Sequence, residues 1–517
     1  MAKGVNKMPQ KGPLPSPARS DQTSEEHVEI GHPDGWRNPQ PAAIYNLVVI
    51  GAGPAGLVAA RGAAATGAKV AIIERGLIGG DCLNVGCVPS KALIRTSRVY
   101  ADMRTAKNFG AQQPAVIDVD FRLAMERMRN VRARIGKSDS VQRLSQEGID
   151  VYFGAARFQG PSTVIVGGVE LHFKKALIAT GARPMIPDVP GLKQAGYLTN
   201  ETVFNLQQRP ESLLVVGGGP LGCELAQAFA RFGSRVTIAQ DEPTFLPKEE
   251  RDAAQLLSEA LARDGIDVRL NTTFESVRTE GAKKIATLTS ADYKATVSCD
   301  EILVGAGRVP NVENLDLEAA GVRYDFVRGI EVNDFLQTRN RRIYAAGDVC
   351  LEYKFTHTAD ASARIAVQNA LFMGRKRLSA LIVPWCTYTD PEIAHVGLYV
   401  RDAISNSIPV TTITILMHDV DRAITDAEEE GFVKIHLRSG TDQILGATMV
   451  ARHAGEMINE VTLAIENKIG LRDLAKVIHT YPTQAEAFKK AADAYNRTRL
   501  TPMLKFLSKH WLAWSRG

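Results

Sequence analysis

Cysteine is scarce in this chain: six residues in 517, too few to staple a protein of that length. Cys82, Cys87, Cys223, Cys299, Cys350 and Cys386 show no C-x-x-C grouping, which excludes a disulfide scaffold and a zinc module of that type. Aromatic residues are also few, at 6% beside 45% hydrophobic and 23% charged. That balance describes a soluble globular chain long enough for two to four domains. An excess of one charge is missing as well. Lys and Arg number 62 and Asp and Glu 57, so the net +5 gives no support to nucleic-acid binding. Long hydrophobic runs are absent too. The most apolar early stretch, residues 47–60, is broken by Gly51, Gly53, Pro54 and Gly56 and stops at Arg61, well short of the roughly 20 residues of a spanning helix. Lys3, Lys7 and Lys11 are followed by no apolar run of signal-peptide length, which makes the cytoplasm the expected compartment.

What the chain has instead is glycine, 43 residues, and proline, 24, the composition of many turns and close backbone approaches. Residues 1–42 hold seven of the prolines and no sustained apolar period, so a disordered arm is expected there. Order is expected from Tyr45-Asn46-Leu47-Val48-Val49-Ile50, a β-branched run that meets Gly51-x-Gly53-x-x-Gly56 and then an Ala-rich, helix-favouring segment. The same grammar returns at Leu213-Leu214-Val215-Val216 followed by Gly217-x-Gly219-x-x-Gly222. Two dinucleotide-binding units are implied. Residues 177–182 and 302–307 each read as a strand crossing between lobes, and 343–348 as a strand delivering Asp348 at its end. From about Pro384, strand-like runs and then two helical runs predict a separate α+β domain.

Glycines at this spacing are a weak signal alone; a strand before and a helix after make it specific. They let the backbone, with Pro54 and Ala55, approach a pyrophosphate held by helix N-terminal N–H groups. Glu74 ends the next strand, where a carboxylate accepts from ribose hydroxyls. At the second fingerprint Gln240 stands in the matching place, so a 2′-phosphate is not excluded and NADH and NADPH both remain open; Lys248 and Arg251 are the nearest cations. Cys82 and Cys87 are separated by four residues, the second entering a helix-like run. Such a pair suits dithiol exchange, its thiolate favoured by the helix dipole, although two buried structural cysteines are the plainer alternative.

Gly79-Gly80-Asp81-Cys82-Leu83-Asn84-Val85-Gly86-Cys87-Val88-Pro89-Ser90-Lys91 resembles the active-site segment of the FAD-dependent pyridine nucleotide-disulfide oxidoreductases, the group of glutathione reductase, dihydrolipoamide dehydrogenase and mercuric reductase. The resemblance extends through both fingerprints, Thr180-Gly181, Gly307-Arg308-Val309-Pro310-Asn311, Ala346-Gly347-Asp348 and Tyr388-Thr389-Asp390-Pro391-Glu392, about residues 44 to 500. It implies an α/β fold with two Rossmann-like domains, for FAD and NAD(P), and a C-terminal α+β dimerisation domain. The expected layout is an arm 1–42, an FAD domain 43–190 and 309–384, an NAD(P) domain 191–308 and a dimerisation domain 385–517. The resemblance further implies FAD beside Gly51, Gly53, Pro54, Ala55, Gly56, Glu74, Thr180, Gly181, Gly347 and Asp348, and NADH or NADPH beside Gly217, Gly219, Gly222, Gln240, Gly307 and Arg308. Cys87 would be the charge-transfer thiolate, Cys82 the interchange thiol, and Lys91 would pair with Glu224 near the flavin. Hydride would pass from nicotinamide to flavin, and electrons on to the Cys82-Cys87 disulfide and then the acceptor. A homodimer completing each active site from the partner is implied too.

The sequence departs from the glutathione and lipoamide enzymes at Ile478-His479-Thr480-Tyr481-Pro482-Thr483-Gln484-Ala485-Glu486. Those enzymes place a His before Pro-Thr to shuttle a proton with a Glu; here Tyr481 stands there, Glu486 remains, and His479 is the substitute base to consider. Mercuric reductases resemble this sequence in carrying that Tyr, and Cys82 and Cys87 would then be transient Hg(II) ligands. They typically also carry a terminal vicinal cysteine pair, whereas the last cysteine here is Cys386. Reduction of a small disulfide or a quinone is the alternative, and a flavin-loaded redox sensor or membrane-associated scaffold the alternative from another class. The other four cysteines read as small buried hydrophobes. Met503, Leu504, Leu507, Trp511 and Trp514 recur at helical spacing with Lys505 and Lys509 opposite, a basic amphipathic helix suited to dimer packing or to an anionic membrane surface.

Overall fold

A computed structural model describes residues 22–112 and 116–516 as two compact units, one ending at 241 and resuming over 271–381, the other formed by 242–270 and 382 onward. In the first unit, parallel strands run in the order Ile149–Phe153, Val70–Glu74, Tyr45–Ile50, Val169–Ile178, with Ile343–Ala345 also pairing the last. Leu47, Val48, Val49 and Ile50 are all buried, as a central parallel strand covered on both faces requires. The helices Pro54–Ala64 and Thr356–Leu371 pack on the sheet through Ala59, Ala63, Ala363 and Ile365. A second parallel set places Ser212–Val216 between Arg235–Ala239 and Glu301–Val304. Where the two crossing segments end, Ala182–Pro184 runs antiparallel to Arg308–Pro310.

The second unit carries a five-stranded antiparallel sheet in the order Trp385–Thr387, Glu392–Gly397, Ile444–Ala451, Phe432–Arg438, Val410–Leu416. The helices Ala454–Glu466 and Glu486–Thr498 close its core through Val461 and Phe488. The segment 242–270 groups here, unlike the expected 191–308 domain. Glu249 explains why: its carboxylate accepts from Trp385 Nε1 at 3.0 Å and Tyr399 Oη at 2.8 Å, and Lys434 pairs with Glu250 at 3.5 Å.

The disordered arm is corrected over part of its length. Residues 1–21 lie outside the described residues, but Gln22–Gly31 is a helix that buries His27, 2% exposed, and Val28. His27 Nε2 donates to Asn84 Oδ1 at 2.7 Å. The chain beyond follows the same unit: His32 stacks on Phe153 with centroids 3.8 Å apart, and Asn38 exchanges two hydrogen bonds with the Phe153 backbone. A composition argument fails here because a few well-placed residues, rather than an apolar period, supply the burial.

Candidate active site

Both fingerprints are built alike. Gly51 has φ +104°, and a Cβ on Gly56 would meet Gly51 O at 1.8 Å, so the strand and helix Pro54–Ala64 close only on glycine. Glu74 Oε2 accepts from Ala52 N, and Oε1 from Arg75 N and Gly76 N, each at 2.8 Å. In the second unit of the pattern, Gly222 would meet Gly217 O at 2.1 Å, and Gln240 Oε1 accepts from Gly218 N at 2.6 Å. Gln240 thus does for its loop what Glu74 does for the first. Neither helix N-terminus is capped by a side chain, leaving first-turn N–H groups for an anion. Gly181 and Gly219 have open space where a Cβ would stand. These uncapped, open cradles fit two dinucleotides. Arg251, however, is spent on the carbonyls of Phe245, Leu246 and Glu249 at 2.6–2.9 Å; it clamps its own loop and is withdrawn as a 2′-phosphate partner.

The redox segment folds as two helices, Gly80–Val85 and Cys87–Thr105, interrupted at Gly86. Cys82 and Cys87 are unbridged. A hydrogen bond from Cys82, Thr356 Oγ1 at 3.4 Å and the Lys91 ammonium together draw the Cys87 thiol down to about 6, against the upward pull of burial. The same bond to Cys87, with burial, pushes Cys82 up. One thiolate is thereby localised on Cys87. Lys91 Nζ lies 2.6 Å from Glu224 Oε2, whose side chain is 4% exposed. Arg308, expected beside the nicotinamide nucleotide, is held instead between Asp81 and Asp348, its Nε 3.5 Å from Asp348 Oδ2, with Nη2 donating to Ala182 O. Burial raises Asp348. Thr180 Oγ1 donates to Asn311 O and Asn311 Nδ2 returns a bond to Thr180 O, while Gly347 N donates to Ser362 Oγ and Gly307 has φ +120°. Thr356, Asp81 and Asn311 are parts that the motifs alone do not single out as functional.

In the second unit, Tyr481 is 69% exposed and its hydroxyl donates to Asp421 Oδ2 at 2.9 Å. That bond and the Asp421 charge raise its pKa further. His479, considered as a substitute base, is already engaged: Nε2 faces Glu460 Oε1 at 2.9 Å and Nδ1 faces Val477 O at 3.2 Å. Glu486 Oε2 is buried without a hydrogen-bond partner among the described residues. Cys223 and Cys299 are buried, and Cys350 and Cys386 partly so; burial pushes the first three thiols up.

Comparison with known proteins agrees with this geometry. Residues 45–363 match the family described as pyridine nucleotide-disulphide oxidoreductase, and residues 383–492 its dimerisation domain. The chain is 32% identical over 453 residues to a mercuric reductase of Staphylococcus aureus, covering 88% of this chain and 83% of that protein. It is 34% identical over 463 residues to a dihydrolipoyl dehydrogenase of Thermus scotoductus, covering 88% and 98%. Among solved structures it resembles the HOCl-induced flavoprotein disulfide reductase RclA of Escherichia coli, crystallised as a Cu(II) complex, with TM-score 0.78, 28% identity and coverage of 86% and 98%. The matched dimerisation domain supports a homodimer. With both parts of the family matched along one chain, the protein belongs to the pyridine nucleotide-disulphide oxidoreductases, flavoproteins that bind FAD and use NAD(P)H.

Proposed function

We propose that the protein is a cytoplasmic NAD(P)H-dependent reductase whose Cys82-Cys87 pair binds a thiophilic metal ion, Hg(II), as substrate for two-electron reduction to the metal. The first cradle, with Thr180, Gly347 and Asp348, would hold FAD and the second would hold NAD(P)H, which together would supply the electron pair. The observation that carries the proposal is Tyr481. Releasing a thiol from a disulfide needs a proton delivered near neutral pH, and Tyr481, already tied to Asp421 and shifted upward, does not deliver one. Reduction of a metal ion consumes no such proton. The residues of the chain do the rest: Cys87 presents a thiolate, Cys82 completes a soft two-sulfur grip, and Lys91 with Glu224 fixes the charge beneath them.

The mercuric reductase relatives support this acceptor, and the dihydrolipoyl dehydrogenase relative makes a disulfide the competing one. Turnover of Hg(II), oxidised glutathione, lipoamide and a quinone, each with NADH and with NADPH, separates them. Fast reduction of lipoamide or glutathione with no Hg(II)-dependent oxidation of either nucleotide overturns the proposal. Anaerobic titration with NAD(P)H is expected to raise a long-wavelength thiolate-to-flavin band in wild type and none in Cys87→Ser; identical spectra would exclude the dithiol from the reaction.

A further inference from the structure

We propose that the helix Pro502–Trp514 docks the protein on an anionic lipid surface. The helix starts cleanly, with Pro502 in its first turn and Thr501 Oγ1 accepting from Leu504 N at 3.2 Å. Yet none of its side chains is buried, and every described residue from 497 to 516 is exposed. A helix of 13 residues that buries no side chain among the described residues is marginal in water, because nucleation is costly and isolated helices become stable only beyond about 12–15 residues. It needs a surface to lie on.

The side chains say which surface. At 3.6 residues per turn Met503, Leu504, Phe506, Leu507, Trp511 and Trp514 share one broad face, with His510 among them, while Lys505, Ser508 and Lys509 share the opposite one around a single apolar residue, Leu512. Trp511 and Trp514, 64% and 74% exposed, sit 5.2 Å apart at the end of the apolar face. Indole rings beside lysines are the chemistry of the boundary between headgroups and acyl chains. From Phe488 onward seven Lys or Arg stand against a single acid, Asp493, so a whole-chain charge of +5 arises from this segment alone. The complement is therefore anionic. A second copy of the chain fits less well: the matched dimerisation domain ends at 492, before the helix begins. No helix among the described residues is long and apolar enough to cross a membrane, so the contact is peripheral.

The test is flotation of the FAD-loaded enzyme with phosphatidylcholine vesicles, with and without phosphatidylglycerol, at low and high salt, alongside sedimentation velocity. The expected result is binding to the anionic vesicles that weakens with salt. Lys505→Gln/Lys509→Gln should weaken it about 30-fold, from roughly one juxtamembrane charge's attraction per lysine, and Trp511→Ala/Trp514→Ala should abolish it. Dimer mass and NAD(P)H oxidation should not change in either variant. Wild type that ignores anionic vesicles overturns the proposal. So does a Trp511→Ala/Trp514→Ala protein that sediments as a monomer, since the face would then belong to the partner subunit.

Discussion

Cys87 owes its low thiol pKa to groups that arrive from three places in the chain: Cys82 from the preceding helix, Lys91 one turn on, and Thr356 at the start of a helix far away in sequence. Alkylation by iodoacetamide should accordingly report a thiolate present above about pH 6 and lost as pH falls through that value, where an ordinary cysteine titrates near about 8.5. Thr356→Val should move the midpoint upward; an unmoved midpoint would remove Thr356 from the account. Lys91→Met removes the ammonium that lies 2.6 Å from the buried Glu224 carboxylate. Breaking a fully buried pair costs about 3–5 kcal/mol; with Lys91 34% exposed, denaturant unfolding should show on the order of 2 kcal/mol. Glu224→Gln in the same background should restore most of it. At this scale Cys82, Cys87 and Lys91 were legible, because dithiol chemistry puts its residues close together in the chain. Thr356 and Asp81 were not, since nothing in their local spacing marks a partner that folding brings from 269 or 227 residues away.

The two strand-turn-helix elements differ in a way that mutation can expose. Gly56 has no room for a methyl group, so Gly56→Ala should abolish FAD retention and folding of the first unit. Gly219 has room, but its Cβ would project beside the uncapped helix N-terminus. Gly219→Ala should therefore keep FAD and the fold while raising KM for NAD(P)H about tenfold, the loss of roughly one phosphate contact; stopped-flow reduction checks it. The helix Gln22–Gly31 invites a pH experiment. Burial, with the nearby Arg132 charge, lowers His27 from 6.5 to about 4. Between those values the detached helix binds a proton that the docked one refuses, so docking is complete above 6.5 and is lost as pH falls toward about 4. Protection of the amides of residues 22–31, taken relative to their intrinsic exchange rate at each pH, should thus be lower at pH 4.5 than at 7, and His27→Gln should flatten the difference. Equal protection at both pH values would mean the helix is not held through His27.

At the scale of the whole molecule, the C-terminal sheet and its helices form the matched dimerisation domain, and Phe488 lies fully buried in its core. Phe488→Ala should cost about 3–5 kcal/mol and shift sedimentation at micromolar concentration toward monomer, whereas an unchanged dimer would show that this core does not support the interface. The charge of the molecule is equally localised: an almost neutral body carries a basic terminal segment.

What the amino-acid sequence by itself determined was the repeated strand-glycine-helix grammar, the dithiol, and Tyr481 in the place of a catalytic histidine. Each of these is local, so a short window of residues contains both the signal and its physical reason. Tertiary structure alone decided that a proline-rich arm contributes a docked helix, that Arg308 spans Asp81 and Asp348, that His479 and Arg251 are already engaged, and that the terminal helix is exposed along its length among the described residues. Those outcomes depend on which distant groups meet, and burial and hydrogen-bond partners are created only when the chain has folded.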